Sequence, residues 1–336
     1  MPWVTSHCTC RIDGAPHVKA YAMTDPSSDT DRPKTLDWFI LTVITIIGGS
    51  SFAMIRGAVD TIPPILVALG RMWVGAFVIF ILMKSSGRHL PALFENKRGS
   101  LGITSAWKHM IAIGVVGTTI PFFIFPWAQQ YIDSGLAGIY MAFMPVWTLA
   151  LAFFFTDETI TTRKLVGFAA GLVGAIVLIG HDAISDAATT SLLPQLSILL
   201  ATLLYATTAI LVRRAPTIRP RIFAAGTLLS SAVFATPGLL FVEIDPQSWS
   251  MSSLLSLVGL GIGPTGLASY LIIILIKRTS ASFMALANYV TPFCAVAMGA
   301  LLFNERLALQ SYIALAIILA GVAFSQSRSR PKQRQK

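Results

Sequence analysis

The sequence predicts an all-α integral membrane protein of ten transmembrane helices, arranged as a 5+5 inverted-topology repeat. Three observations carry that expectation. Hydrophobic residues make up 54% of the 336 and charged residues only 12%, whereas a soluble domain carries about a quarter charged residues. The formal net charge of +10 is distributed over alternate loops rather than gathered into a patch that would suit nucleic acid. Finally, sliding the chain over itself by 147 residues brings like residues together in like order.

A helix needs roughly 17 to 25 apolar residues to cross the hydrocarbon. The runs that qualify are 38–55, 61–83, 109–132, 134–156, 165–181, 187–212, 222–242, 246–276, 279–304 and 307–327. The fifth is short, but its Gly167, Gly171 and Gly174 suit a tightly packed membrane helix. Residues 1–35 are rich in Asp, Ser and Pro without an apolar h-region, so they read as a disordered cytoplasmic segment rather than a signal peptide or a span. Cys8 and Cys10 within it lack a second ligand pair and read as free thiols rather than a metal site. Cys294 reads as a small apolar filler. Met23 opens a more ordinary N-terminus than Met1, and the intact mass of the native product distinguishes the two starts. The long connector from Lys84 to Lys108 holds Pro91, Phe94, Trp107 and several cations, and is expected to lie against the inner leaflet as an amphipathic segment.

With a cytoplasmic N-terminus, the inner loops hold Lys84, Arg88, Lys97, Arg98 and Lys108, then Arg163 and Lys164, then Arg213, Arg214, Arg219 and Arg221, then Lys277 and Arg278. The tail 328–336 is basic as well. The outer loops hold only Arg56 and Arg306 as cations, against Asp60, Asp133, Asp182, Asp186, Glu243, Asp245 and Glu305. Positive-inside bias therefore places both termini in the cytoplasm. The repeats are expected at 36–181 and 187–327. An odd number of spans per repeat inverts the second copy. In the 147-residue register Pro145 meets Pro292, Glu158 meets Glu305, Gly174 meets Gly321 and Gly114 meets Gly261.

These residues resemble the drug/metabolite transporter superfamily, of the EamA type with two EamA domains. The likeness rests on Gly48-Gly49-Ser50-Ser51-Phe52 and Arg56 in the first span, then Pro63-Pro64 and Leu69-Gly70-Arg71 in the second. It continues through Ser134-Gly135-Leu136-Ala137, Pro145, Glu158, Gly167 and Gly174, with a fainter copy at Thr279-Ser280-Ala281-Ser282, Pro292, Glu305 and Gly321. Gly48 departs from the family pattern, which usually has Trp there, and the second half lacks the glycines around Tyr205. The resemblance implies a ten-helix bundle with a central cavity, working by alternating access, usually as an exporter of small metabolites; aromatic cavity walls would suit apolar or amphipathic substrates such as amino acids and drug-like solutes.

Arg71 is the single ionisable residue deep in a span. A charge at the bilayer centre costs at least ~2.5–3.5 kcal/mol on insertion scales. One reading has its guanidinium bind an anionic group of a substrate; the other has it bond carbonyls at helix ends or kinks, such as those freed near Pro145 or Pro292, and hold the bundle together. Each of those two prolines removes a backbone donor and kinks its helix, which makes both candidate hinges. Ser51, Tyr140, Trp147, Tyr205, Tyr270, Asn288 and Thr291 are the mid-span polar and aromatic candidates for a cavity wall, with Ser50, Thr207, Thr208 and Ser269 beside them. Asn288 and Thr291, three apart, share a helix face. Glu158 and Glu305 sit at helix ends, where capping is expected over proton carriage. With no Asp, Glu or His deep in a span, facilitated movement or exchange is favoured over a proton-coupled drug efflux carrier. A channel would need a repeated filter or a ring of like charge, and neither is present in the sequence. Nothing implies an enzyme or a cofactor: there is no phosphate-binding Gly-rich loop and no His/Cys metal set, and Gly259, Gly261 and Gly263 read as close helix packing. The expected partners are a small-molecule substrate and membrane lipids, not nucleic acid, and the small-residue faces are compatible with a homodimer.

Overall fold

The structure is a computed structural model that describes residues 33–97, 100–155, 162–185, 192–216, 218–279, Phe283 and 286–326. Cys8, Cys10, Met23, Glu158, Ser280-Ala281-Ser282 and the basic tail lie outside the described residues. The described chain runs through α1 (Thr35–Val59), α2 (Pro64–Lys84), a hairpin of β1 (Phe94–Lys97) and β2 (Ser100–Ile103), α3 (Ser105–Gly114) and α4 (Ile120–Ala128). It continues through α5 (Ser134–Tyr140), α6 (Met144–Phe155), α7 (Thr162–Ser185), α8 (Leu192–Arg214), α9 (Pro220–Ala235), α10 (Met251–Leu260), α11 (Ala268–Arg278), α12 (Ala287–Phe303) and α13 (Leu309–Gln326). A π-helical segment, Val115–Thr119, joins α3 to α4, and a second, Gly261–Leu267, joins α10 to α11.

Among the described residues, seven helical stretches are long and apolar enough to cross a membrane, and three shorter apolar helices accompany them at Leu165–Ile179, Ala287–Phe303 and Leu309–Ser325. Within the ninth expected span, 279–304, one helix runs Ala287–Phe303, and within the eighth, 246–276, helix begins at Met251 after a 3-10 turn at Pro246–Ser248. Large apolar side chains such as Phe77, Ile176, Phe241 and Leu301 stand exposed on the outside of the bundle, as lipid-facing residues of a membrane protein do. The connector departs from expectation. It folds as an antiparallel hairpin pairing Phe94 with Ile103, rather than as one amphipathic run, and Trp107 donates to the Pro91 carbonyl at 3.0 Å to close its base. Ladder bonds satisfy a backbone that Pro91 keeps from continuing as helix.

The halves interlock. α1 packs against α10, α11 and α12, while α8, the first helix of the second half, packs against α3, α4 and α6. α2 packs on the π segment Gly261–Leu267, and α9 packs on α3 and the π segment Val115–Thr119. The pairs α2 with α9, α5 with α12 and α7 with α13 map onto themselves when the halves are exchanged. Even the π segments correspond, since Val115–Thr119 falls within Gly261–Leu267 at the 147-residue shift. The extended packing of α7 on α13 depends on glycine. A Cβ on Gly167 would lie 2.6 Å from the Gly321 carbonyl oxygen, and one on Gly321 would lie 2.6 Å from the Ala170 Cβ. The small-residue face of the fifth span is thus used inside the chain.

Candidate functional site

Arg71 lies on the face of α2 that meets the second π segment and is 5% exposed. Gly75, one turn further on, lets that segment come close, because a Cβ there would stand 2.5 Å from Thr265 Cγ2. The Arg71 guanidinium carbon sits 3.6 Å from the centroid of the Phe122 ring. Its Nε and Nη2 donate to the Thr265 hydroxyl at 3.4 and 3.3 Å. Thr265 in turn donates to the Leu260 carbonyl at 2.9 Å, so its remaining lone pairs face the arginine. The acceptor is therefore not a carbonyl near Pro145 or Pro292, as the alternative reading of Arg71 expected. It is a hydroxyl in a widened turn, on the residue that follows Pro264, a proline not singled out in the sequence. No carboxylate pairs with Arg71 among the described residues.

Tyr205 stands within electrostatic reach of Arg71. Its ring stacks on Phe125 at 6.1 Å, and Phe125 meets Phe52 edge-on at 5.6 Å. Three helices, α1, α4 and α8, thereby contribute one aromatic layer beside the buried cation.

The other candidates form separate groups. Ser51 donates to the Gly48 carbonyl at 2.6 Å, and Thr291 donates to the Ala287 carbonyl at 2.8 Å. A Cβ on Gly48 would lie 3.8 Å from Thr291 Oγ1, so these residues share the crossing of α1 and α12. Asn288, one turn before Thr291 and half-buried, makes no hydrogen bond with a described residue. Tyr140 is fully buried and donates to Gln195 Oε1 at 2.6 Å, while Trp147 Nε1 donates to the Thr202 hydroxyl at 3.1 Å. Both are thus tied to α8 at the same seven-residue step. Tyr270 is held by Arg221, which donates to its hydroxyl at 2.8 Å, lies over its ring and also reaches the Ser86 hydroxyl. Ser50, Thr207, Thr208 and Ser269 bond back to carbonyls three or four residues earlier. Pro145 is the second residue of α6, after a 3-10 turn at Met141–Phe143, and Pro292 lies buried within α12.

Charge clusters at the two ends of the bundle. At the end where α1 starts, Asp37 accepts from the Lys34 amide at 2.9 Å and pairs with Arg278 at the end of α11. At the opposite end the Glu305 carboxylate accepts from the Ser134 and Gly135 amides, each at 2.9 Å, and from the Ser134 hydroxyl at 2.8 Å. It caps the start of α5 from across the repeat boundary. Nearby, Arg56 donates to the Gln129 carbonyl at 2.9 Å. Lost hydration and the like charge of Glu305 push the Asp133 carboxyl up, against the pull of Arg56. An apolar cleft of about 430 Å³ opens at this end between Pro63, Pro64, Ile65, Phe123 and Trp127.

Phe122, Thr265 and Phe125 were not singled out by the sequence, and Phe52 and Arg221 entered it as a motif residue and a loop cation rather than as site candidates. Thr265 had one visible signal: in the 147-residue register it coincides with Thr118, beside the paired Gly114 and Gly261.

A family model described as the EamA-like transporter family matches residues 36–180 and 192–326. The chain is similar to an uncharacterized transporter, YoaV, of Bacillus subtilis, with 20% identity over 83% of this chain and 92% of the relative. It is similar to an uncharacterized inner membrane transporter, YedA, of Escherichia coli K12, with 27% identity over 84% of this chain and 88% of the relative. It is also similar to the aromatic amino acid exporter YddG of Ancylobacter novellus, with 25% identity over 84% of this chain and 94% of the relative. A crystal structure aligns at a TM-score of 0.59 with 20% identity, over 88% of this chain and 98% of its own, and that likeness concerns the fold alone. With two matches that span nearly all of the described helices, this multi-pass membrane protein belongs to the EamA-like transporter family.

Proposed function

We propose that the chain is a secondary transporter of the inner membrane that exports small metabolites, amino acids or related amphipathic solutes, by alternating access. It crosses the membrane ten times with both termini in the cytoplasm. Arg71 holds the carboxylate of the solute, and Phe52, Phe125 and Tyr205 provide an apolar wall for its body. The observation that carries this reading is the state of Arg71. The charge is buried mid-span, where it costs at least ~2.5–3.5 kcal/mol. Among the described residues it is met by a ring face and one hydroxyl at 3.3–3.4 Å, an arrangement that leaves guanidinium donors for a planar anion. The aromatic amino acid exporter among the relatives supports the same class. Pro145 and Pro292 serve as hinges between the two access states.

Glu305 is engaged in a cap and Asp37 in an ion pair, which supports facilitated movement or exchange over proton coupling. The test is counterflow of labelled amino acids in proteoliposomes, with and without an imposed pH gradient. Saturable exchange of one class, indifferent to the gradient, is the expected result. No exchange across the panel, or none lost in Arg71→Ala, sinks the assignment of Arg71. A strong gradient effect overturns the coupling.

A further inference from the structure

Gln129 is fully buried, and neither its amide nitrogen nor its amide oxygen has a hydrogen-bond partner among the described residues. An amide taken out of water without a partner costs free energy that a purely structural residue would not carry. Its backbone is fixed: the N–H donates to the Phe125 carbonyl at 3.0 Å and the carbonyl accepts from Arg56 at 2.9 Å. The side chain is thus held in place yet left unsatisfied.

Its position at the C-cap of α4 gives the orphan amide a context. Phe122, Phe125 and Gln129 are spaced i, i+3 and i+7, so they form one stripe of the helix. Phe122 lies under the Arg71 guanidinium, and Phe125 joins Phe52 and Tyr205 in the aromatic layer. Gln129 follows one turn later. From Phe122 to Gln129 is two turns, about 10 Å along the axis. The stripe therefore presents a cation, then ring faces, then an unpaired amide.

We propose that Gln129 is a specificity-determining residue that receives a polar atom at the far end of the solute. Building on the reading of Arg71 as a carboxylate anchor, the stripe fits an amphipathic carboxylate with an aromatic body and a hydrogen-bonding tip. A phenol can donate to and accept from the carboxamide, and an indole N–H can donate to it, whereas a phenyl ring offers nothing. Tyrosine and tryptophan are therefore favoured over phenylalanine. The discrimination arises because phenylalanine leaves the buried amide unpaired.

The test is counterflow of L-tyrosine, L-tryptophan and L-phenylalanine in proteoliposomes of the full chain, comparing wild type with Gln129→Leu, Gln129→Asn and Arg71→Ala. The melting temperature of each purified protein is taken without solute. Wild type prefers tyrosine and tryptophan, and Gln129→Leu reduces that preference about tenfold. Gln129→Asn, which keeps an amide but withdraws it, falls between. Gln129→Leu melts at or above wild type, because no internal hydrogen bond is lost. A wild type without the preference, an equal fall for all three solutes in Gln129→Leu, or a clear drop in its melting temperature assigns Gln129 to the framework and overturns the proposal. If those results come with exchange that still depends on Arg71, the carboxylate reading stands alone. If wild type exchanges none of the three, or Arg71→Ala exchanges them normally, both readings fall.

Discussion

At Val115–Thr119 a π-helical turn lies against α9; at Gly261–Leu267 its counterpart lies against α2. Both turns begin beside a glycine that admits the opposing helix. A Cβ on Gly114 would stand 2.8 Å from the Thr227 carbonyl oxygen, and one on Gly261 would stand 2.5 Å from the Val74 Cβ. In both, a threonine hydroxyl reaches back five residues to a carbonyl, Thr119 to Gly114 at 3.2 Å and Thr265 to Leu260 at 2.9 Å. That is the reach a widened turn requires. The facing helix then differs. Against Thr119 it brings Ser231, whose carbonyl accepts from Thr119 at 3.2 Å and whose hydroxyl donates to the Gly114 carbonyl at 3.0 Å. Against Thr265 it brings Arg71. The first crossing closes with hydroxyls alone, so the crossing itself has no need of a guanidinium. The costly residue at the second crossing supports a role in transport over a role in packing.

The largest expected effect breaks or confirms that contrast. Arg71→Ala is expected to lower exchange about a hundredfold, and Arg71→Lys at least tenfold, because an ammonium cannot both lie flat on Phe122 and reach the Thr265 hydroxyl. Ser231→Ala at the twin crossing is expected to cost about 1 kcal/mol of stability while saturable exchange persists. Equal transport defects at the two sites would erase the distinction. Next in size are Gly114→Val and Gly261→Val, each expected to destabilise by about 1–3 kcal/mol through overpacking, read as melting temperature in detergent. Similar losses would show that the two turns are mechanically alike, and a large inequality would show that they are not.

A smaller effect sharpens the comparison at its hydroxyls. Thr227 Oγ1 is buried at the first crossing without a partner among the described residues. Thr227→Val is therefore expected to be neutral or to stabilise by about 1 kcal/mol, whereas Thr265→Val deprives Arg71 of its acceptor and lowers exchange. The smallest effect lies away from both crossings, at Asp133. Its carboxyl is raised from 3.8 in the folded protein, so the folded state holds this proton more tightly than the unfolded chain. Stability from this group is greatest below about pH 3.8 and is lost as pH rises through the raised folded value. Asp133→Asn should melt higher than wild type at neutral pH, with the difference vanishing in acid.

Several site residues were legible because the membrane makes them conspicuous. Arg71 stands out from any apolar run, and Glu305 was expected to cap a helix, which it does from the opposite repeat. Tyr140, Trp147 and Tyr270 were legible only as mid-span polar rings. Their hydroxyl and indole groups turn out to be engaged by Gln195, Thr202 and Arg221, partners between 49 and 55 residues away in the chain. Nothing in the local sequence could have indicated those pairings. Gln129 had no signal at all, since a glutamine near a span end is ordinary until its neighbours are known to leave it unpaired.

The sequence by itself determined the membrane-spanning class, the approximate spans and the order shared by the halves. A bilayer demands internally bonded apolar helices of fixed length, and that demand is written residue by residue. Only the tertiary structure decided which helices interlock, where the π turns fall, and that Phe122 and Thr265 meet Arg71. Those outcomes depend on the register between distant helices, set by glycine-scale differences in how closely two backbones approach, a quantity that belongs to pairs of segments and not to either one.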